Sequence, residues 1–431
     1  PAIATFAHRA LLDMMQLGVK KVFFLAREGI FLQKVFTAVL HQVSELKMFA
    51  DEIEFNILFI SRVASIIGNY NGVHDVHSLI KPVYFAYPQF NFANFCKTWG
   101  LNADDFSAYA KQSMSAYMQS CTHEEFCHLL QDEQFATELD SKMAFKQKIF
   151  NDFLKQEGVA GEQAVALVDV GWNGTIQSYI ANSLEKIACK NTLYGFYLGG
   201  SGNIKRVTHN RGNSIIFPGY LFNDVFPDEV DLFKLGIPML EALLGDEQTS
   251  SVKGYAVSGN SIVPEFKGIE QCHFTIKLQQ QVQSSVLNGV KHYCAAINIS
   301  PLALDRLAIF YKKRLLSFVS NPKKSEINAF KGLSFDYDWG NNGIVPIVDA
   351  APRRFFLHPC RSFHQALISA WPNAALKMLP IPFLCRLYTC YKRYSSHYPH
   401  LIMMLEIAIR LAKKAVSVPR KIFFKKSKPH H

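Results

Sequence analysis

Four short apolar runs punctuate the first half of the chain, and between them the apolar positions switch to a helical spacing. Lys20 to Ala26 (KKVFFLA), Glu54 to Ile60 (EFNILFI), Ala164 to Val168 (AVALV) and Thr192 to Leu198 (TLYGFYL) are the runs. They are rich in aromatic and β-branched residues and lack strict polar alternation. That is the pattern of strands covered on both faces. Residues 2–17 predict a helix closed by Gly18. A second helix is predicted over Ile30 to Val43, with Phe31, Val35, Val39 and Val43 on one face, and a third over Ile176 to Ile187. Strand, helix and strand at this spacing predict βαβ units, hence a parallel sheet. The expected fold class is α/β, a Rossmann-like parallel sheet with its core in residues 1–72 and 156–260.

The rest of the chain reads differently. Residues 73–155 alternate acids, histidines and aromatics without a strand pattern, which predicts a helical insertion or cap. Residues 199–260 are rich in glycine and read as loops. Residues 261–350 read as a helical region. Residues 351–431 are aromatic, broken by prolines and basic. No run of about 20 uncharged apolar residues occurs, so no spanning helix is expected. Leu401 to Val416 is amphipathic, with Glu406, Arg410, Lys413 and Lys414 on one face, and Arg420 to Lys426 mixes Phe with Lys. Phe among clustered Lys suits the headgroup layer of an anionic membrane, so 351–431 is expected to be membrane-associating.

Composition sharpens this division. The chain has 431 residues, 49% of them hydrophobic and 19% charged, which excludes disorder over most of its length. The net charge of +11 is uneven. Residues 351–431 hold 15 Lys/Arg against one acid, leaving 31 basic and 34 acidic residues in 1–350. The charge sits on a Phe-rich tail and not on a folded face with stacking aromatics, so nucleic acid is not an expected partner. Nine cysteines without a CxxC pair predict free thiols in a reducing compartment. Pro1 in place of Met and the closing His430-His431 read as a tagged piece of a longer protein.

Candidate chemistry clusters at the ends of the predicted strands. In ALVDVGWNGT, an apolar strand runs into Asp169, a turn bounded by Gly171 and Gly174 follows, and Thr175 opens a helix. Backbone N–H groups at such a turn, with the helix dipole behind them, make an anion site. In VFFLAREGIFLQKV, Arg27 and Glu28 sit at a strand end and Gly29 lets the helix start close by. In FISRVAS, Ser61 and Arg62 follow a third strand. Arginine presents a planar fork that matches phosphate oxygens. Two arginines and one glycine-rich turn at neighbouring strand ends describe a cleft for a ligand with several phosphates. Four carboxylates are candidate proton acceptors: Glu241, Asp169, Glu28 and Asp224. His74 and His77 have the wrong company for a metal site and read as a polar helix face. Neither a GxSxG elbow nor a GxxxxGK[ST] loop occurs.

The order of these motifs is similar to the type I phosphoribosyltransferase fold. The resemblance implies that Arg27, Glu28 and Gly29 form the pyrophosphate turn and that Asp169 holds ribose with Mg²⁺. It also implies that Gly171, Trp172, Asn173, Gly174 and Thr175 cradle the 5-phosphate of phosphoribosyl pyrophosphate. In the usual pattern of that fold two acids are adjacent, whereas Val170 follows Asp169 here. Taken together, FFLAREGIFLQKV, FISRVAS and LVDVGWNGTIQ resemble a domain of bacterial surface-polysaccharide loci, over most of residues 1–260. That domain often accompanies a haloacid dehalogenase-like phosphatase, whose DxD signature is absent here. The resemblance implies a glycan phosphoribosyltransferase. It would move 5-phosphoribose onto a lipid-linked O-antigen or capsule acceptor, with inversion, at the inner face of the bacterial cytoplasmic membrane. A phosphatase partner would act on the product. The other readings of the residues are a nucleotide-sugar glycosyltransferase and a non-catalytic glycan-binding scaffold.

Overall fold

The computed structural model describes residues 1–394 except 88, 110–113, 201–212, 218, 224–226, 247–248, 269–272, 337–343, 351–355, 357 and 382. It divides into two compact units. The first holds residues 1–226, 239–315 and 334–345, and the second holds residues 227–238, 316–333 and 346–431.

The first unit is built on a parallel sheet. Helix α1 (Ala2–Gln16) leads into β1 (Lys21–Leu25), and α2 (Glu28–Gln42) carries the chain back to β2 (Glu54–Leu58). After the helical insertion come β3 (Val165–Trp172), α9 (Thr175–Lys186), β4 (Leu193–Gly200) and β5 (Ser214–Ile216). Among the described residues the strand order is β2-β1-β3-β4-β5, every pairing parallel. The chain winds outward from β1 to β2 and then returns past β1 to β3. The direction therefore reverses between β1 and β3, where doubly wound sheets place their ligands at the carboxyl ends of the strands.

Strand β1 shows why the apolar runs are continuous. Phe24 faces α2 and meets Phe36 and Phe55 edge-on at centroid distances of 5.1 and 5.2 Å. Phe23 and Leu25 face the other side, in one buried cluster with Leu58, Leu167, Ile180 and Leu184. Each face is covered, so no position can be polar. That second cluster extends into residues 73–155, which form α4 (Val76–Ala86), α5 (Phe92–Trp99), α6 (Met114–Ser120), α7 (His123–Leu129) and α8 (Glu133–Gln156). Asp75 caps α4 by accepting from the Ser78 N–H, which accounts for an acid between His74 and His77.

Three features depart from the sequence reading. Strand β3 extends four residues beyond Val168, because β4 continues alongside it and pairs Asp169 with Tyr197, Gly171 with Gly199 and Trp172 with Gly200. The turn is thereby reduced to Asn173–Gly174. The loop-rich segment 199–260 contributes β5 and most of a hairpin, β6 (Val252–Ser258) and β7 (Ser261–Phe266). Tyr255 of β6 stacks on Phe153 of α8 at 4.2 Å, and this tertiary contact selects the strand. Third, the helical region expected over 261–350 supplies α12 (His273–Ile299) and α13 (Leu304–Ser320) but also holds two paired short strands, β8 (Ser334–Asp336) and β9 (Ile344–Pro346).

The second unit gathers α10 (Pro227–Lys234), α14 (Lys324–Ala329), α15 (Pro359–Leu367), α16 (Pro372–Met378) and α17 (Phe383–Tyr394). Its buried Trp371 packs against Phe318 and Phe330, and its indole N–H donates to the Val319 carbonyl at 2.8 Å. The amphipathic stretch 401–416 and the basic run 420–426 lie outside the described residues. Among the described residues no single helix is long and apolar enough to cross a membrane, although α12 and α13 pass that test as a pair bent by 119°.

Candidate active site

The carboxyl ends of β1, β2 and β3 open onto one cavity of about 120 Å³. Arg27 and Glu28 reach it from the end of β1 and the start of α2, and Ser61 and Arg62 from the segment after β2. Asp169, Gly171 and Trp172 come from the carboxyl end of β3, and Asn173, Gly174 and Thr175 from the turn into α9 and its first residue. Glu241 enters from helix α11 (Ile237–Leu244). Eleven of the twelve described residues expected at the site therefore line one cavity.

The twelfth, Gly29, does not line it. A Cβ there would stand 2.7 Å from the Phe24 carbonyl carbon, so its absence lets α2 lie close on β1. Gly29 sets the position of Arg27 and Glu28 through packing, as a structural spacer. Ser61 lines the cavity with its hydroxyl already committed. It donates to the Val252 carbonyl at 2.6 Å and accepts from the Ala64 N–H at 3.0 Å, capping the short helix α3 (Arg62–Ser65). It ties β6 to the start of α3, where Arg62 stands. Asp224 lies outside the described residues.

The backbone around Asp169 is specialised. Gly171 and Trp172 have φ of 115° and 111°, and Gly174 has 64°. The Trp172 ring lies against Gly199, where a Cβ would come within 2.5 Å of it. Gly174 is the N-cap of α9, so no side chain caps the helix. Helix geometry gives its first N–H groups no intrahelical acceptor, and the dipole there favours an anion.

Three carboxylates and two guanidinium groups share this space. Burial first, and then the charge of Glu28, raises the Asp169 carboxyl to about 7, against partial relief from Arg62. The same two causes push Glu241 well above the usual carboxylate range, with Arg62 and Arg27 pulling the other way. Glu28 is 8% exposed and its Oε1 accepts no hydrogen bond, while Arg27 Nη2 stands 3.5 Å away. A buried carboxylate oxygen that accepts no hydrogen bond, with a second carboxylate in the same cavity, fits a divalent cation.

Among the lining residues that the sequence reading did not assign to the site are Tyr197, Ser250, Ser251 and Val252. Tyr197 is the register partner of Asp169 on β4. Ser250 to Val252 arrive with the β6–β7 hairpin, nearly two hundred residues from Ser61.

No protein-family model and no curated protein matches the chain. The doubly wound fold and the geometry of the cavity therefore carry the functional reading.

Proposed function

We propose that this protein is a glycan phosphoribosyltransferase, moving 5-phosphoribose from phosphoribosyl pyrophosphate to a sugar hydroxyl. One observation carries the reading. The strand-end acid Asp169 and the uncapped N-terminus of α9 share a cavity with Arg27 and Arg62, at the point where the sheet order reverses. A ligand that satisfies all of them has a hydroxylated sugar between two separate anionic groups. Phosphoribosyl pyrophosphate has that form.

In this reading the first N–H groups of α9 and the Thr175 hydroxyl hold the 5-phosphate. Asp169 accepts from ribose hydroxyls. Arg27 and Arg62 lie on the pyrophosphate, where negative charge grows as the C1–O bond breaks. Asp169 and Glu28 would hold Mg²⁺, which when bound supplies neutralising charge to the diphosphate. Among the described residues no three His, Cys, Asp or Glu are grouped to cage a metal ion. Mg²⁺ characteristically takes one or two carboxylates together with substrate phosphates.

Glu241 is the general base. Its raised affinity for a proton suits removal of a hydroxyl proton near neutral pH. As the acceptor oxygen bonds to C1, its proton passes to Glu241. The C1–O bond to pyrophosphate breaks with its electron pair on the leaving group. Attack opposite the leaving group inverts the centre, so an α donor gives a β-ribofuranoside. The acceptor in this reading is a lipid-linked O-antigen or capsule glycan, met at an anionic membrane through residues 351–431. A phosphatase, in a partner domain or protein, would then remove the 5-phosphate.

The product tests this. With phosphoribosyl pyrophosphate, Mg²⁺ and a glycan acceptor, one pyrophosphate is expected per phosphoribose added, and NMR of the product should show the β anomer. An α product contradicts inversion. Pyrophosphate release without transfer contradicts the assignment of a glycan acceptor.

A further inference from the structure

Gln177 stands on the first turn of α9 and is fully buried. Nothing in the reaction described above uses it. A buried amide at a sheet–helix junction costs free energy unless all its hydrogen-bonding capacity is met. Here it is met in one orientation only. The Nε2 end faces the carbonyls of Leu193 and Ile215, each at 3.2 Å, and the Ser214 hydroxyl at 3.0 Å. Carbonyl oxygens only accept, so this end must be the NH₂ group. Oε1 therefore faces the Tyr197 hydroxyl at 2.7 Å, and the phenol must donate to it. The strand makes room for this amide. At Gly195 a Cβ would come within 1.8 Å of the Gln177 oxygen.

The two residues join the halves of the site. Tyr197 pairs in register with Asp169 and is itself 1% exposed. Its hydroxyl lies 4.0 Å from where a Cβ on Gly174 would stand, under the turn that opens α9. Gln177 fixes the start of α9 to β4 and β5, while Tyr197 fixes Gln177 to the strand that pairs with Asp169. The phenol's one proton is spent on Gln177, so Tyr197 offers none to a ligand.

We propose that Gln177 and Tyr197 are positioning residues acting as one unit, setting the spacing between the anion-holding start of α9 and Asp169. This inference rests on the proposed phosphoribosyl donor. The spacing governs how well one donor can occupy both subsites at once. The base Glu241 comes from a different helix. Loosening the unit therefore weakens donor binding and leaves the chemical step of the bound complex in place.

Steady-state kinetics on the full chain, with Gln177→Leu, Tyr197→Phe and the double variant, tests this. Each single variant should raise the KM for phosphoribosyl pyrophosphate by about 10–100-fold. In each, kcat should stay within about twofold, the mark of lost uniform binding. The double variant should be no worse than Gln177→Leu alone, because the second substitution removes a partner already lost. Tyr197→Phe keeps the ring and its packing, so it carries the test if Gln177→Leu does not fold. An unchanged KM in Tyr197→Phe overturns the proposal, as does a fall in kcat equal to the rise in KM. Additive effects overturn the single unit. A wild-type protein that releases no pyrophosphate from this donor overturns the functional reading and this inference with it. That failure is recognised because it precedes any substitution.

Discussion

Replacing Glu241 by Gln is expected to lower kcat by about 10²–10⁴-fold, the usual worth of a positioned general base. The side chain keeps its shape, so the KM for the donor should change by no more than a few-fold. The wild type should also show kcat/KM rising with pH across the neutral range. Burial and the neighbouring Glu28 charge hold Glu241 protonated at lower pH, and only the carboxylate accepts a proton. In Glu241→Gln the part of that rise that belongs to Glu241 should be lost, leaving only the titration of Asp169 at about 7. A variant that keeps more than about a tenth of wild-type kcat would remove Glu241 from the role and pass it to Asp169 or Glu28.

Asp169→Asn is expected to do two opposite things. Donor affinity in the presence of Mg²⁺ should fall by about 100-fold or more, because a ligand to both the ribose and the cation is lost. Stability at pH 8 should rise. The folded-state pKa of Asp169 is raised to about 7, above its ordinary value, so the folded protein binds more protons than the unfolded chain between the two values. Stability therefore falls as pH rises through that window, and the penalty is complete above it. The penalty is roughly 1–3 kcal/mol after allowance for partial solvent contact. Asn carries no such penalty. Thermal unfolding should show the variant a few degrees above wild type at pH 8 and level with it at pH 4. An equal loss of stability at both values would mean that Asp169 is a structural carboxylate with no stored cost. Sites that must bind charge commonly carry such a cost.

How far the sequence reveals this site depends on the range of the forces involved. Strands β1 to β4 were legible because burial on both faces leaves an unbroken apolar run, as Phe23 and Phe24 show by facing opposite sides. Arg27, Arg62 and Asp169 were legible because a charge that ends such a run stands at the mouth of a sheet. The extent of β3 was not. Gly171 and Gly174 read as a turn in isolation, and only the continuation of β4 through Gly199 and Gly200 draws Asp169 to Trp172 into the ladder. The β6–β7 hairpin was hidden by its polar residues, although Gly259–Asn260 between Ser258 and Ser261 is a hairpin signal. With the hairpin went Ser250 to Val252, whose place at the site depends on a bond from Ser61. Tyr197 read as one more strand aromatic. The glycine two residues before it, inside an apolar strand, marks a close approach. Here the approaching group is Gln177.

The donor decides the account. Calorimetry on the full chain would compare phosphoribosyl pyrophosphate with Mg²⁺ against a set of nucleotide sugars, using wild type and Asp169→Asn. The account predicts one site per chain that binds phosphoribosyl pyrophosphate selectively, with binding lost in Asp169→Asn. Preferential binding of a nucleotide sugar would contradict it and make the protein a glycosyltransferase of a different kind. Binding of no donor at all would leave the cavity without the activity assigned to it.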